Sequence, residues 1–279
     1  MGFHITPNHF YQPIPDTRSL TDDLWLRPSE LVKVDMNEQG QIELLRKFSG
    51  RYRNEYDCLP KHKPLISTQY YTDNPTFGAL DGKILYCMIR HFKPKRLIEI
   101  GSGYSTYLSA QALTKNRDES GDKTELIVVD PYPSLTVRNG FPGLSKLICN
   151  KVEKVSIDEF TKLQENDILF IDSTHVLRIG NDVQYIYLEI LPRVNKGVVI
   201  HVHDIFIPCE YPKAWVKKSH IFWNEQYLLQ SFLAFNNEFK VLWAAVYMQL
   251  RHHDCLEEAF GPGEQRYDRG GSFWMRRNV

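Results

Sequence analysis

The sequence predicts an α/β fold in which a mostly parallel β-sheet carries helices on both faces and follows an N-terminal extension. From about residue 84 onward, short β-rich runs alternate with segments of helical periodicity, which is typical of parallel strands joined by helices. The chain has 279 residues, of which 42% are hydrophobic, enough to form an ordinary core. The seven β-rich runs are RLIEI (96–100), TELIVVD (124–130), KLICNKVEKV (146–155), DILFID (167–172), GVVIHVHD (197–204), FKVLWAAVYM (239–248) and SFWMRR (272–277).

Segments between these runs show where helices begin and end. In residues 181–194, Asn181 can cap a helix start and Pro192 marks its end. The apolar residues that would form its buried stripe are Val183, Ile186, Tyr187, Ile190 and Leu191. Residues 251–271, between the last two strands, lack regular apolar periodicity and are rich in glycine and charge. We therefore expect that connection to be irregular.

The first 78 residues differ from the rest of the chain. Prolines punctuate them, and no strand–helix alternation is visible. Two short helical candidates, SELVKV (29–34) and QIELLRKF (41–48), are the main signals of regular structure. We expect residues 1–78 to form an extension or cap on a domain that comprises residues 79–279.

Composition limits the classes of partner. Lys plus Arg equals Asp plus Glu, at 34 each, so no overall field attracts nucleic acid or an anionic membrane. No window reaches the roughly 18 apolar residues of a membrane helix, and the N-terminus lacks a secretory signal pattern. The five cysteines are scattered without a CxxC pair, which fits a reducing compartment. We expect a cytoplasmic protein with a small-molecule partner, and the sequence leaves open whether it forms a homo-oligomer.

A glycine-containing turn follows the first β-rich run. The run ends at Ile100, Gly101 permits a tight turn, and Gly103 lets the backbone approach a ligand before a helix begins. This arrangement is the nucleotide-binding corner of a Rossmann-like sheet. The dinucleotide pattern requires a third small residue where Thr106 stands. The corner therefore favours a ligand without a pyrophosphate.

An acidic residue follows the next run. Asp130 stands at the carboxyl end of the second predicted strand, where a carboxylate can accept both hydroxyl protons of a ribose. Together with the glycine corner one strand earlier, this position indicates a ligand that contains adenosine.

These motifs carry a resemblance to a known family. EIGSGYST and VVDP resemble the first two motifs of class I S-adenosylmethionine-dependent methyltransferases, and DILFIDSTH and GVVIHVHD resemble strand ends of the catechol and macrocin O-methyltransferase branch. The resemblance implies a seven-stranded sheet with an antiparallel last strand, and S-adenosylmethionine as cofactor. The residues that it assigns to the cofactor are Glu99, Gly101, Gly103 and Asp130, with Ser102 and Tyr104 as neighbours.

The resemblance also implies a metal site. Ligands of open α/β sheets bind beyond the carboxyl ends of the strands, so Asp172 and Asp204 should face the same crevice. Carboxylates there suit a hard cation such as Mg²⁺, which the related O-methyltransferases hold at equivalent strand ends. His203-Asp204 stands where the catechol-type enzymes have Asp-Asn. Mg²⁺ is therefore bound by a different ligand set, consisting of Asp172, Asp204 and His203, or is not bound.

The predicted reaction is methyl transfer from S-adenosylmethionine to a hydroxyl oxygen of a small molecule, such as a sugar or a phenol-like compound. His175 occupies the position of the catalytic lysine of the catechol-type enzymes, and an ordinary imidazole suits a general base. We expect His175 or His203 to take the hydroxyl proton and Asp172 to hold the metal or orient the acceptor. His201 lies two residues before His203, on the same face of the predicted strand, and should lie deeper in the sheet.

Two other function classes fit parts of the sequence. The HxH pair could belong to a zinc hydrolase, but Asp204 follows His203 directly, without the further histidine that such sites carry. A nucleotide-binding module without catalytic activity would also retain the glycine corner. Stabilisation by S-adenosylhomocysteine would separate a methyltransferase from both.

Overall fold

Seven β-strands form one sheet in the computed structural model, which describes residues 5–261 and 270–278. The spatial order of the strands is β3-β2-β1-β4-β5-β7-β6. Their bounds are β1 Arg96–Ile100, β2 Glu125–Val129, β3 Lys146–Ile148, β4 Ile168–Ile171, β5 Val199–Val202, β6 Phe239–Ala244 and β7 Phe273–Arg277.

The strand directions confirm the sheet that the resemblance implies. Strands β1 to β5 pair in parallel, and β7 lies antiparallel between β5 and β6. Every residue of β4 and β5 is buried. This is why these strands are almost continuously apolar in sequence instead of alternating with polar residues.

Helices cover both faces of the sheet, as predicted, and separate the core into two large apolar clusters. One face packs against α2, α3, α4, α10 and α11, and the other against residues 157–191 and α9. The α-helices are α1 Asp23–Leu26, α2 Glu38–Tyr56, α3 Ala79–Phe92, α4 Tyr104–Ser120, α5 Leu135–Arg138, α6 Ile157–Thr161, α7 Asp182–Tyr185, α8 Lys213–Lys217, α9 Glu225–Ala234, α10 Ala245–Arg251 and α11 His253–Phe260.

The helix predicted over residues 181–194 is present but changes its winding. Asn181 caps α7 by accepting a hydrogen bond from the backbone N–H of Gln184. A π-helical segment, Ile186–Ile190, and a 3₁₀ turn, Leu191–Arg193, continue it. The whole predicted apolar stripe is buried.

Four sequence predictions about elements are wrong. Of the third β-rich run, 146–155, only Lys146–Ile148 is a strand, and Val152–Lys154 is a 3₁₀ turn. The sixth strand ends at Ala244, and α10 begins at the next residue. The connection expected to be irregular contains α11, whose Leu256, Ala259 and Phe260 form a buried stripe too short to recognise among charged residues. SELVKV is not a helix. The part of that connection at 262–269 lies outside the described residues.

The N-terminal extension contributes to the main core. Helix α2 buries Leu45, Phe48, Tyr52 and Tyr56 in the same apolar cluster as α3 and the sheet. The indole N–H of Trp25 donates to the backbone carbonyl of Tyr211 at 2.9 Å. Residues before and after the predicted domain boundary at 78 and 79 therefore pack in one core, and the boundary stays a prediction. No helix within the two described ranges is long and apolar enough to cross a membrane.

Candidate active site

The carboxyl ends of four neighbouring strands meet at one edge of the sheet. Gly101 follows β1, Asp130 follows β2, Asp172 follows β4, and Asp204 lies just beyond β5. Strands β1 and β4 are paired, although β2 and β3 come between them in sequence. This is the switch in strand order at which ligands bind in open α/β sheets.

The turn after β1 requires glycine at its first position. Gly101 has φ 91°, and a Cβ atom there would lie 1.9 Å from the backbone carbonyl oxygen of Asp172. Gly103 is different, because a Cβ atom there would meet nothing within 4 Å. The backbone N–H of Gly103 donates to the hydroxyl of Thr106 at 2.9 Å. Thr106 thus closes the turn in place of the third glycine of the dinucleotide pattern.

The first cavity, of about 680 Å³, opens over this turn. Of the six residues predicted to bind the cofactor, Gly101, Ser102, Gly103, Tyr104 and Asp130 line it. The Ser102 hydroxyl donates to one carboxylate oxygen of Asp130, and the backbone N–H of Tyr132 donates to the other. These contacts fix the carboxylate at the cavity wall.

Glu99, the sixth predicted cofactor residue, lies beneath the cavity and does not line it. Its side chain is fully buried and accepts a hydrogen bond from the Ser105 hydroxyl at 2.5 Å. Burial raises the pKa of Glu99 to about 8, although the hydroxyls of Ser105 and Thr106 favour its charged form. Glu99 therefore contacts the start of α4, and its predicted part in cofactor binding stays a prediction.

Asp172, His175 and Asp204 form a compact group that we call the carboxylate–histidine cluster. Nε2 of His175 lies 3.2 Å from Asp172 Oδ1 and 3.6 Å from Asp204 Oδ2. Burial opposes protonation of His175, but Asp172 and Glu225 outweigh it and raise its pKa to about 10. The neighbouring carboxylates therefore favour the imidazolium form of His175.

The pKa values of the two aspartates of the cluster are shifted in opposite directions. Burial would raise the pKa of Asp172, but His203 and His175 lower it below its usual range. For Asp204, burial outweighs the same two histidines and raises the pKa. Asp204 is therefore the carboxylate that binds a proton more readily.

Glu225 is a member of the site that the sequence did not reveal. Its carboxylate oxygen Oε2 lies 3.0 Å from Nδ1 of His175, and its side chain is fully buried. Trp223, two residues earlier, packs its indole on the same imidazole with 4.5 Å between ring centroids. Glu225 and Trp223 belong to no sequence motif. Glu225 is 50 residues after His175 in the chain, and the fold alone brings the two side chains together.

His203 lies beside the cluster and His201 beneath it. Nε2 of His203 is 3.8 Å from Asp204 Oδ1, and the ring packs against Phe77 with 4.9 Å between centroids. Burial lowers the pKa of His203, but Asp204 and Asp172 outweigh it and raise the value. His201 is fully buried and stacks on Phe170, which confirms that it points into the sheet.

The second cavity, of about 980 Å³, adjoins the first. One of its walls is aromatic, with Phe206, Trp215 and Trp223, and another is polar. His203 and Asp204 line both cavities, whereas Asp172 and His175 line only the first. The two cavities therefore meet at the edge of the carboxylate–histidine cluster. The polar wall includes Lys61, Thr72, Asp73, Asn74 and Thr76.

The carboxylate–histidine cluster also has the donors of a metal site. Within the described residues, one ligand atom each from Asp172, His175 and Asp204 lie within 4.8 Å of one another. Two carboxylates and an imidazole suit a divalent cation. The third ligand atom of this group belongs to His175, where the sequence predicted His203.

Comparison with known proteins places the site in a family. A family model described as a methyltransferase domain matches residues 98–205, which contain the end of β1 and all of β2, β3, β4 and β5. An uncharacterized protein of Archaeoglobus fulgidus is 32% identical over 177 residues, which are 60% of this chain and 77% of that protein.

Similarity to solved structures is more distant. A putative methyltransferase from Thermobifida fusca YX is 12% identical, with a TM-score of 0.46 over 91% of this chain and 96% of that one. The plantazolicin methyltransferase BpumL, solved with SAH, is 13% identical, with a TM-score of 0.41 over 88% and 98%. A cmcI protein solved with Mg and SAM is 13% identical, with a TM-score of 0.37 over 70% of each chain.

The assignment follows from the sequence matches and the topology. The family match falls on the strands that build the glycine turn and the acidic strand ends, and β7 is antiparallel as the class I fold requires. Residues 98–205 therefore match a methyltransferase domain, and the sheet that contains them has the Rossmann-like topology of a class I S-adenosylmethionine-dependent methyltransferase.

Proposed function

We propose that this chain transfers the methyl group of S-adenosylmethionine to a hydroxyl oxygen of a small molecule. One observation carries the proposal: the two cavities meet at His203 and Asp204. The first cavity contains the glycine turn and would hold the methyl donor. A molecule in the second cavity would reach the same boundary from the other side, as a direct displacement at the methyl carbon demands.

The first cavity offers the contacts that the donor needs. Asp130, already fixed by Ser102 and Tyr132, would accept the ribose hydroxyl protons. Gly103 leaves space for a ligand to contact the backbone. Tyr104, whose hydroxyl is 3.3 Å from that of Tyr71, closes one side of the cavity.

The second cavity suits an acceptor that is flat on one side and polar on the other. Trp215 and Trp223 meet nearly at right angles, with 5.1 Å between centroids, and form an aromatic corner. A sugar ring or a phenol-like ring can pack in such a corner, and Thr72 and Asp73, which also line the cavity, would contact its polar groups.

Asp204 is the favoured acceptor of the proton that the substrate hydroxyl loses. Asp204 lines both cavities, and its pKa is raised by burial. In the proposed step the proton passes from the acceptor hydroxyl to a carboxylate oxygen of Asp204. The hydroxyl oxygen forms a bond to the methyl carbon as the carbon–sulfur bond breaks, and S-adenosylhomocysteine leaves. His175, held as a cation, keeps Asp172 and Asp204 in place.

A divalent cation would fit the same cluster. Asp172, His175 and Asp204 would hold it, and it would lower the pKa of the acceptor hydroxyl.

The test begins with binding and ends with turnover. S-adenosylhomocysteine at micromolar concentration should raise the melting temperature of the wild-type protein, measured with Mg²⁺ and with EDTA. A screen of sugar and phenol acceptors with labelled S-adenosylmethionine should then reveal transfer to oxygen. Asp172→Asn should lower that activity at least about 100-fold. Full activity of this variant would remove Asp172 from the mechanism, and transfer to nitrogen or carbon alone would overturn the choice of oxygen.

A further inference from the structure

Two segments of the chain are fastened together next to the carboxylate–histidine cluster. The backbone N–H groups of Asn224 and Glu225 donate to the carbonyl oxygen of His175, at 3.0 and 3.2 Å. The side-chain oxygen of Asn224 accepts a hydrogen bond from the N–H of Leu177. The start of α9 is therefore attached to the loop that follows β4.

The backbone of His175 has a conformation that needs such support. Its φ of 58° lies in the left-handed region, which non-glycine residues adopt at a cost. Conformations of this kind persist where the surroundings fix them, and they concentrate at functional sites. Here the surroundings are the two backbone donors from α9 and the indole of Trp223.

The same attachment includes a buried carboxylate. Oε2 of Glu225 is 3.0 Å from Nδ1 of His175, and Glu225 is fully buried as the first residue of α9. A buried ion pair is often no more stable than apolar residues of similar volume, because both charges lose their hydration. Packing alone therefore does not explain a glutamate at this position, whereas a bond that orients the imidazole does.

We propose that Glu225 is a positioning residue for methyl transfer: it holds Nδ1–H of His175, so that Nε2 stays directed at Asp172 and Asp204. The proposal rests on the proposed function, because it gives the cluster a part in that reaction. Glu225 lines neither cavity. It acts only through the imidazole, as carboxylates commonly do behind histidines that bind metals or transfer protons.

Kinetics of Glu225→Gln provide the first test. The amide has nearly the same volume but lacks the charge that holds Nδ1–H. We expect kcat to fall about 10- to 100-fold, the usual loss when the partner of such a histidine is removed. The KM for the acceptor and the Kd for S-adenosylhomocysteine should change less than about twofold, because Glu225 contacts neither ligand site.

A matched control separates positioning from general loss of stability. Glu55 forms an ion pair with the buried Arg90, at 2.8 Å, and lines neither cavity. Glu55→Gln should lower the melting temperature and leave kcat per folded molecule unchanged. Glu225→Gln must lower kcat per folded molecule, with the folded fraction measured by circular dichroism. A loss of activity that matches the loss of folded protein would overturn the proposal.

A second readout does not depend on turnover. Heteronuclear NMR of the full-length protein with labelled histidine, assigned with His175→Asn, should show a slowly exchanging proton on Nδ1 of His175. Glu225→Ala should abolish that signal, and its persistence would overturn the proposal. If the wild-type protein neither binds S-adenosylhomocysteine nor transfers methyl groups, the proposed function fails, while the NMR result still decides whether Glu225 holds His175.

Discussion

Asp204 is the residue on which the proposed proton transfer depends. Its φ of 53° is left-handed, a conformation that asparagine tolerates well. Asp204→Asn should therefore retain the fold, but it removes the proton acceptor. We expect kcat to fall by about 10²- to 10⁴-fold in a methyl-transfer assay, with S-adenosylhomocysteine affinity nearly unchanged.

Asp167→Asn is the control for this substitution. Asp167 is also buried and stands directly before β4, whereas Asp172 stands directly after it. At that opposite end of the strand, Asp167 accepts a hydrogen bond from the backbone N–H of Arg96. Its replacement should cost stability without affecting kcat. Equal activities of the Asp204 variant and the wild-type protein would contradict the proposed role of Asp204.

Glu99 should make the stability of the protein depend on pH. Its pKa is raised from 4.5 to about 8 in the folded state. Above the unfolded pKa the folded state retains the proton longer than the unfolded state, so stability falls as pH rises toward 8 and then levels. The contribution is up to about 1.4 kcal/mol per pH unit.

Glu99→Gln isolates this effect, because an uncharged amide replaces the carboxyl group. Urea unfolding at about pH 5.5 and about pH 7.5 should show a loss of stability about 2 kcal/mol larger in wild-type protein than in the variant. Identical pH dependence of the two proteins would show that Glu99 is charged in the folded state throughout this range.

At the scale of elements, the turn between β1 and α4 contains two glycines with different functions. Gly101→Ala would force a Cβ atom against the carbonyl oxygen of Asp172, in a backbone conformation that alanine rarely adopts. We expect the free energy of unfolding to fall by about 3 kcal/mol, measured in urea.

Gly103→Ala is the matched variant, because its Cβ atom would enter open space. It should melt near the wild-type temperature but bind S-adenosylhomocysteine much more weakly, since the methyl group occupies space at the cavity. Calorimetric titration measures this difference. The separate functions of the two glycines would be refuted if both variants lost stability equally.

The elements that the sequence predicted best are those whose signal is local. Strands β1, β2 and β4 were located because each is apolar and is followed directly by a glycine or an aspartate. The end of β6 was missed because Ala244 and Ala245 suit a strand and a helix equally well. Helix α11 was missed because its buried stripe of Leu256, Ala259 and Phe260 covers little more than one turn.

At the scale of the whole molecule, the first 78 residues do not behave as one unit. Residues 5–15 are almost entirely exposed, whereas α2 lies in the main core. Deletion of residues 1–15 should change the melting temperature by only a few degrees, or about 1 kcal/mol. Deletion of residues 1–78 should yield a chain without a cooperative melting transition, because Phe48, Tyr52 and Tyr56 are lost from the core. A cooperative transition in the shorter chain would contradict this.

The site could be predicted from sequence only where it follows the strand order. Asp130, Asp172 and Asp204 were found because strand ends share one edge of the sheet. Glu225 and Trp223 were not, because their approach to His175 depends on the path of residues 205–224 across the molecule. The choice of His175 over His203 as neighbour of both aspartates likewise depends on side-chain directions that no spacing encodes.

The contact between Gly101 and the carbonyl of Asp172 has a thermodynamic consequence. A ligand that shifts the glycine turn also shifts the strand end that carries Asp172. Through His175 this shift reaches Asp204, which lines both cavities, so occupancy of one cavity should alter affinity at the other. Linkage requires the effect to be reciprocal: the factor by which the donor changes the dissociation constant of the acceptor equals the factor by which the acceptor changes that of the donor. We therefore expect the two substrates to bind cooperatively, because the lack of a side chain at Gly101 lets β1 and the end of β4 approach so closely.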